Sequence, residues 1–219
     1  MEDYIKIGLD TEDLLDAFAI KRNRQCIILE NWLSVESLIT ELSVETSKHL
    51  EFLRQQLIQE GDFWNEEELK MKFLAFLFYY AEIDEPEKIK LFYERPLSAI
   101  LDSYKINVKC DCLIAKPKGI GKPTHPYFFL QEFKKQKQQE DAEGQMLAAM
   151  LIAQHLNADN KPVYGAFLQG KFWTFTVLHQ KDYCVSSTYD ASDKKELLEI
   201  LFILKHLKII ILNQYQELI

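Results

Sequence analysis

The residues of this chain that could do chemistry sit in two extended segments. The run Tyr127-Phe128-Phe129-Leu130-Gln131-Glu132-Phe133-Lys134 is strongly apolar until a Glu and a Lys stand two apart at its end. Side chains two apart on a strand project together, so Glu132 and Lys134 share a side with Phe128 and Leu130. Ionisable groups there are costly unless they pair or bind something. A second run, residues 107–115, carries Asp111 between Cys110 and Cys112, flanked by Val108 and Ile114. Alternation predicts that the two cysteines share one face and that Asp111 takes the other. If the two runs are neighbouring strands, Asp111, Glu132 and Lys134 converge. Two carboxylates so placed cannot both stay ionised and unpaired. A hard divalent cation resolves this, because Mg²⁺ takes one or two carboxylates with water and substrate phosphate. A lysine beside it can orient or deprotonate a bound water and offset phosphate charge. The trio implies metal-assisted attack of water on a phosphodiester.

The elements that must position these groups follow a regular order. Thr11-Glu12-Asp13 can cap a short helix to about Ile20, and Ser34 a second one. Leu38, Leu42, Leu50, Leu53 and Leu57 then recur at helical intervals up to Gly61. Residues 1–60 read as a helical arm packed on a main domain of residues 61–219. Asn65 caps the next helix, with Glu66, Glu67 and Glu68 in its first turn and an apolar stripe at Leu69, Phe73, Phe76, Leu77 and Tyr80. Strands follow at residues 91–94, 107–115 and 127–134, with a Pro/Gly/Lys-rich loop over 116–126. A helix over 142–156 precedes strands at 163–169 and 172–178, which join at Gly170-Lys171 in a tight hairpin. A strand near 184–187 and a C-terminal helix from Ser192 complete an α/β sandwich around one mixed sheet.

Asp111, then a strand with Glu132-Phe133-Lys134, then a helix bearing Gln145, is a series that resembles the PD-(D/E)XK nuclease superfamily. The resemblance spans roughly residues 65–178, and residues 65–73 are similar to the first helix of nuclease domains in type I restriction subunits. It implies a restriction-endonuclease-like mixed β-sheet flanked by helices, with an N-terminal helical extension. It implies that Asp111, Glu132, the Phe133 carbonyl and the helix acid Glu66 hold Mg²⁺ or Mn²⁺. Lys134 would serve the nucleophilic water and Gln145 would be an auxiliary polar residue. DNA is the implied substrate, and cutting of both strands would favour a homodimer. The chain departs from the pattern in having Cys110, not Pro, before Asp111. A nuclease-fold domain without catalysis, used for nucleic-acid binding or protein assembly, is the alternative.

Lys135, Lys137 and Lys118 are the residues expected to grip a nucleic-acid backbone. Phe172, Trp173 and Phe175 could form a base-stacking platform, but their alternation reads as core. His125, His155, His179 and His206 have no triad or metal spacing.

The 219 residues, 47% of them hydrophobic, suffice for a folded domain with a substantial core, and 14 Phe, 10 Tyr and 3 Trp argue against disorder. A net charge of −8 argues against a protein that coats nucleic acid non-specifically, though a local basic groove stays compatible with it. Cys26, Cys110, Cys112 and Cys184 do not read as a disulfide scaffold, so a reducing, cytoplasmic setting is expected. The most apolar segment, residues 197–212, is interrupted by Lys205, His206 and Lys208 and falls short of the about 20 apolar residues a span needs. It reads as a buried helix.

Overall fold

The computed structural model describes residues 4–134 and 141–215. Its centre is a mixed sheet of eight strands with helices on both faces. The strands are β1 (Ile5–Lys6), β2 (Lys21–Asn23), β3 (Lys90–Leu101), β4 (Tyr104–Lys118), β5 (Lys122–Lys134), β6 (Val163–Gln169), β7 (Phe172–His179) and β8 (Asp182–Asp190). Their order is β1-β4-β5-β6-β7-β8-β2, with β3 also on β4. Pairs are antiparallel except β1–β4, β5–β6 and β2–β8.

The helices are α1 (Thr11–Ala17), α2 (Ile27–Leu33), α3 (Val44–Glu60), α4 (Glu66–Leu69), α5 (Ala75–Ala81), α6 (Ala142–Asn157) and α7 (Lys194–Gln214), with a π-helical turn (Lys70–Leu74) joining α4 to α5. Free N–H groups in their first turns are satisfied by the side chains of Asp10, Ser43, Asn65, Asp141 and Asp193. Asn65 and Glu68 form a reciprocal capping box. Ser34 does not start a helix as expected. Its hydroxyl donates to the Glu30 carbonyl and closes α2, and Ser43 begins α3 instead.

Helix α6 is the crossover between parallel β5 and β6. With α1 it covers one sheet face, where Met146, Leu147 and Ile152 meet Val163, Leu178 and Val185. The other face packs Phe129, Tyr164 and Phe175 against Trp32, Leu53, Leu77 and Leu204. Trp173 and Phe175 are fully buried there, which makes them core and not a stacking platform. Helix α7 is buried along one side, and no helix among the described residues is long and apolar enough to cross a membrane.

Three local expectations change. Residues 1–60 contain strands as well as helices, since β1 and β2 pair with β4 and β8; runs of two and three residues are too short to show alternation. The segment 116–126 is not a loop. It is a paired ribbon, Lys116↔Thr124 to Lys118↔Lys122, whose prolines are tolerated because it extends beyond the reach of both β3 and β6. Cys26 and Cys184 form a disulfide, although they lie 158 residues apart. The cause is the β2–β8 register, which puts Asn23 beside Cys184 and so brings the start of α2 to β8.

At the N-terminus of α6 the Asp141 carboxylate binds two elements at once. It accepts from the Gly144 N–H at 2.8 Å and from the backbone N–H and hydroxyl of Thr11, each at 2.7 Å. The chain approaches Gly144 so closely that a Cβ there would lie 2.1 Å from the Leu9 carbonyl oxygen. Helix propensity favours Ala over Gly by about 1 kcal/mol, but backbone contact opposes it. Gly144→Ala should lower unfolding free energy in urea by about 1–3 kcal/mol; a gain would show that the α1 approach yields freely.

Candidate active site

Strand β4 is edged by β3 along nearly its whole length, from Leu101↔Tyr104 to Lys90↔Ala115. Its other edge is shared, with β1 at Tyr104 and Lys105 and β5 from Cys112 onward. The β4–β5 ladder ends at Cys112↔Gln131, and the same register sets Asp111 opposite Glu132. Alternation slips at this point. Val108 and Cys110 pack on the α6 face, as do Leu113 and Ala115, while Cys112 and Ile114 pack on the other. Phe92 and Leu97 show the same slip on β3 around Glu94, whose φ is +55°. Cys110 and Cys112 therefore lie on opposite faces, contrary to simple alternation.

The acidic groups meet lysines in two sets, one around Lys134 and one around Lys70. Lys134 Nζ lies 3.0 Å from Glu132 Oε1 and 3.9 Å from Glu66 Oε1. Lys70 Nζ donates to Asp111 Oδ1 at 2.9 Å, and the Phe133 N–H donates to Asp111 Oδ2 at 2.9 Å. Lys70 also contacts Glu67 at 3.2 Å and pairs with Glu94, which pairs in turn with Lys109. Glu66 and Lys70 are four apart on one helical face, so this face supplies an acid to Lys134 on β5 and a base to Asp111 on β4. The Phe133 ring centroid lies 5.6 Å from Lys70 Nζ. Glu132 (3% exposed), Lys70 (6%), Lys134 (7%) and Asp111 (9%) are all nearly shut from water, so each must be compensated locally.

Burial first, and then the Asp111 charge, push the Glu132 carboxyl up to about 8, against the pull of Lys134. Burial alone would lower Lys70, but hydrogen bonds to Glu94 and Asp111 hold it above the ordinary lysine range. Glu94 is desolvated too, yet Lys109 and Lys70 keep it below the usual carboxylate value. Among the described residues the two sets together hold five carboxyl groups (Glu66, Glu67, Glu94, Asp111, Glu132) and three ammonium groups (Lys70, Lys109, Lys134). Fully ionised, they carry two surplus negative charges.

Asp111, Glu132, Lys134 and Glu66 are thus brought together. Phe133 reaches Asp111 through its N–H. Gln145, in the first turn of α6, is half-buried and its side chain makes no hydrogen bond among the described residues. Lys118 is exposed on the ribbon, whose tip folds back so that Lys90 donates to the Ile120 carbonyl; no contact joins it to the site. Lys135 and Lys137 lie outside the described residues. Lys70 and Glu94 were missed in the sequence. The usable signal was the spacing Glu66–Lys70, which sets a lysine on the same face as the helix acid. Among the described residues, no group of three or more His, Cys, Asp or Glu side chains is arranged to hold a metal ion. Compared with protein-family models and with curated proteins, the chain matches none.

The raised Glu132 carboxyl makes stability pH-dependent. The folded protein holds this proton more tightly than the unfolded chain, whose carboxyl titrates near 4.5. The stabilisation is complete below that value and is lost as pH rises through about 8. In EDTA, the melting temperature should fall from about pH 5 to about pH 9, and Glu132→Gln should flatten the fall. Equal slopes would remove Glu132 as the cause.

Proposed function

We propose that this chain is a restriction-endonuclease-like, Mg²⁺-dependent nuclease that hydrolyses phosphodiester bonds in DNA. The observation that carries the reading is the meeting of buried Asp111, Glu132 and Lys134 with half-buried Glu66 where β4 and β5 part. The donor chemistry fits Mg²⁺ or Mn²⁺. Asp111 and Glu132 offer hard oxygens from facing strand positions, and the Phe133 carbonyl and Glu66 are further oxygen donors nearby. Bound there, the cation would polarise a phosphate oxygen and make a coordinated water more acidic.

The chain's own groups have separate tasks. Lys134 Nζ, held 3.0 Å from Glu132 Oε1, orients an attacking water and offsets phosphate charge. The Phe133 N–H fixes one oxygen of Asp111, so the carboxylate keeps its direction as the cation arrives. Glu66 steadies Lys134 from the helix side. Cleavage of both DNA strands by a single site per chain calls for two copies, so a homodimer belongs to this reading.

One observation favours a second reading, a catalytically silent nuclease-fold domain for nucleic-acid binding or assembly. Both Asp111 oxygens already have partners, Lys70 and the Phe133 N–H.

With Mg²⁺ or Mn²⁺, the purified protein should cut DNA. Lys134→Ala should slow cleavage by about 10²–10⁴-fold while leaving the circular dichroism spectrum unchanged. Cleavage at the wild-type rate in that variant removes Lys134 from the chemistry. Saturating Mn²⁺ should raise the melting temperature of wild type and not of Asp111→Asn, since a ligand stabilises the state that binds it, by about 2.7 kcal/mol at a hundred times Kd. No cleavage and no metal effect would leave the silent reading.

A further inference from the structure

We propose that Lys70 is a built-in counter-ion, which a divalent cation must displace from Asp111 before the site can load. The inference rests on the metal reading above and adds a residue that it does not use. Asp111 Oδ2 is held by the Phe133 N–H, a backbone donor that cannot leave without moving β5. Asp111 Oδ1 is held by Lys70 Nζ at 2.9 Å, a side-chain donor that can leave. Oδ1 is therefore the oxygen that can be released to a cation.

Lys70 also has somewhere to go. Its ammonium already pairs with Glu94 and lies 3.2 Å from Glu67. A small rotation of the side chain exchanges one of three carboxylates and keeps the other two. Its bond to Asp111 is thus the exchangeable one, and the ammonium stays protonated and paired after the exchange. Displacement is an ion exchange with no covalent step: a dication–oxygen contact replaces an ammonium–oxygen hydrogen bond.

The arrangement has a physical reason. Asp111 and Glu132 face each other nearly shut from water, and unpaired ionised carboxylates there would repel strongly. Lys70 removes the charge of Asp111 while Lys134 counters Glu132. Each of these two carboxyl groups then has an ammonium partner in the folded, metal-free protein, and a cation that loads displaces one lysine. Lys109 provides an internal contrast, because it pairs with Glu94 but makes no contact with Asp111.

The test is calorimetric titration of Mn²⁺ into the wild-type protein, Lys70→Met, Lys70→Arg and Lys109→Met. Lys70→Met should bind Mn²⁺ about tenfold more tightly than wild type, and Lys70→Arg, which keeps the charge, should stay near wild type. Lys109→Met should change Kd by much less than Lys70→Met. An affinity in Lys70→Met that is unchanged or weaker overturns the proposal while the metal site stands. An equal gain in Lys109→Met also overturns it, since general charge removal would then explain the effect. Absence of Mn²⁺ binding in every folded protein overturns the metal reading itself, and this proposal with it. If circular dichroism shows that Lys70→Met does not fold, Lys70→Gln takes its place with the same expected gain.

Discussion

Two carboxyl groups that face each other across strand ends, with water excluded, set the terms for everything around them. Asp111 and Glu132 cannot both keep a negative charge there without cations close by. The chain supplies Lys134 within β5 itself and Lys70 from the π turn between α4 and α5. The helix entered at the Asn65 capping box is therefore bound to the sheet by charge as well as by Leu69 and Phe73 in the core. Because these pairs are nearly buried, removing one partner leaves an uncompensated charge, which is far more costly than losing a surface ion pair.

The sheet makes that convergence possible by irregularity. Perfect alternation through β4 would send Asp111 away from both cysteine neighbours and leave them on a single face. Instead the phase slips at Asp111 and, across the same pair of strands, at Glu94 with its positive φ. The β4–β5 ladder ends one position short of Asp111, which leaves the Phe133 N–H free to donate to the Asp111 carboxylate. Broken pairing at the end of a strand leaves backbone groups for side chains to engage, as Asp111 engages the Phe133 N–H.

Much of this was legible in the sequence, and the legible part has a common cause. The course of β6 and β7, the Gly170-Lys171 turn, the Asn65 cap and the onset of α6 follow from short apolar runs, turn residues and caps, which act within a few residues. Glu132 and Lys134 stood out because ionisable residues interrupt an apolar run. Ser34 misled because a hydroxyl can close a helix through a carbonyl as readily as it can open one.

Taken alone, then, the sequence determined a mixed α/β chain whose buried charges are Asp111, Glu132 and Lys134, since period and polarity are properties of neighbouring residues. Tertiary structure alone decided that Lys70 and Glu94 join them, that Cys26 meets Cys184, and that β1 and β2 extend the sheet. Those contacts join residues 24 positions apart, as in Lys70 and Glu94, to well over 150, as in Cys26 with Cys184 and β2 with β8. Strand register and helix docking govern them, and no local pattern encodes which partner a long side chain finds across that separation.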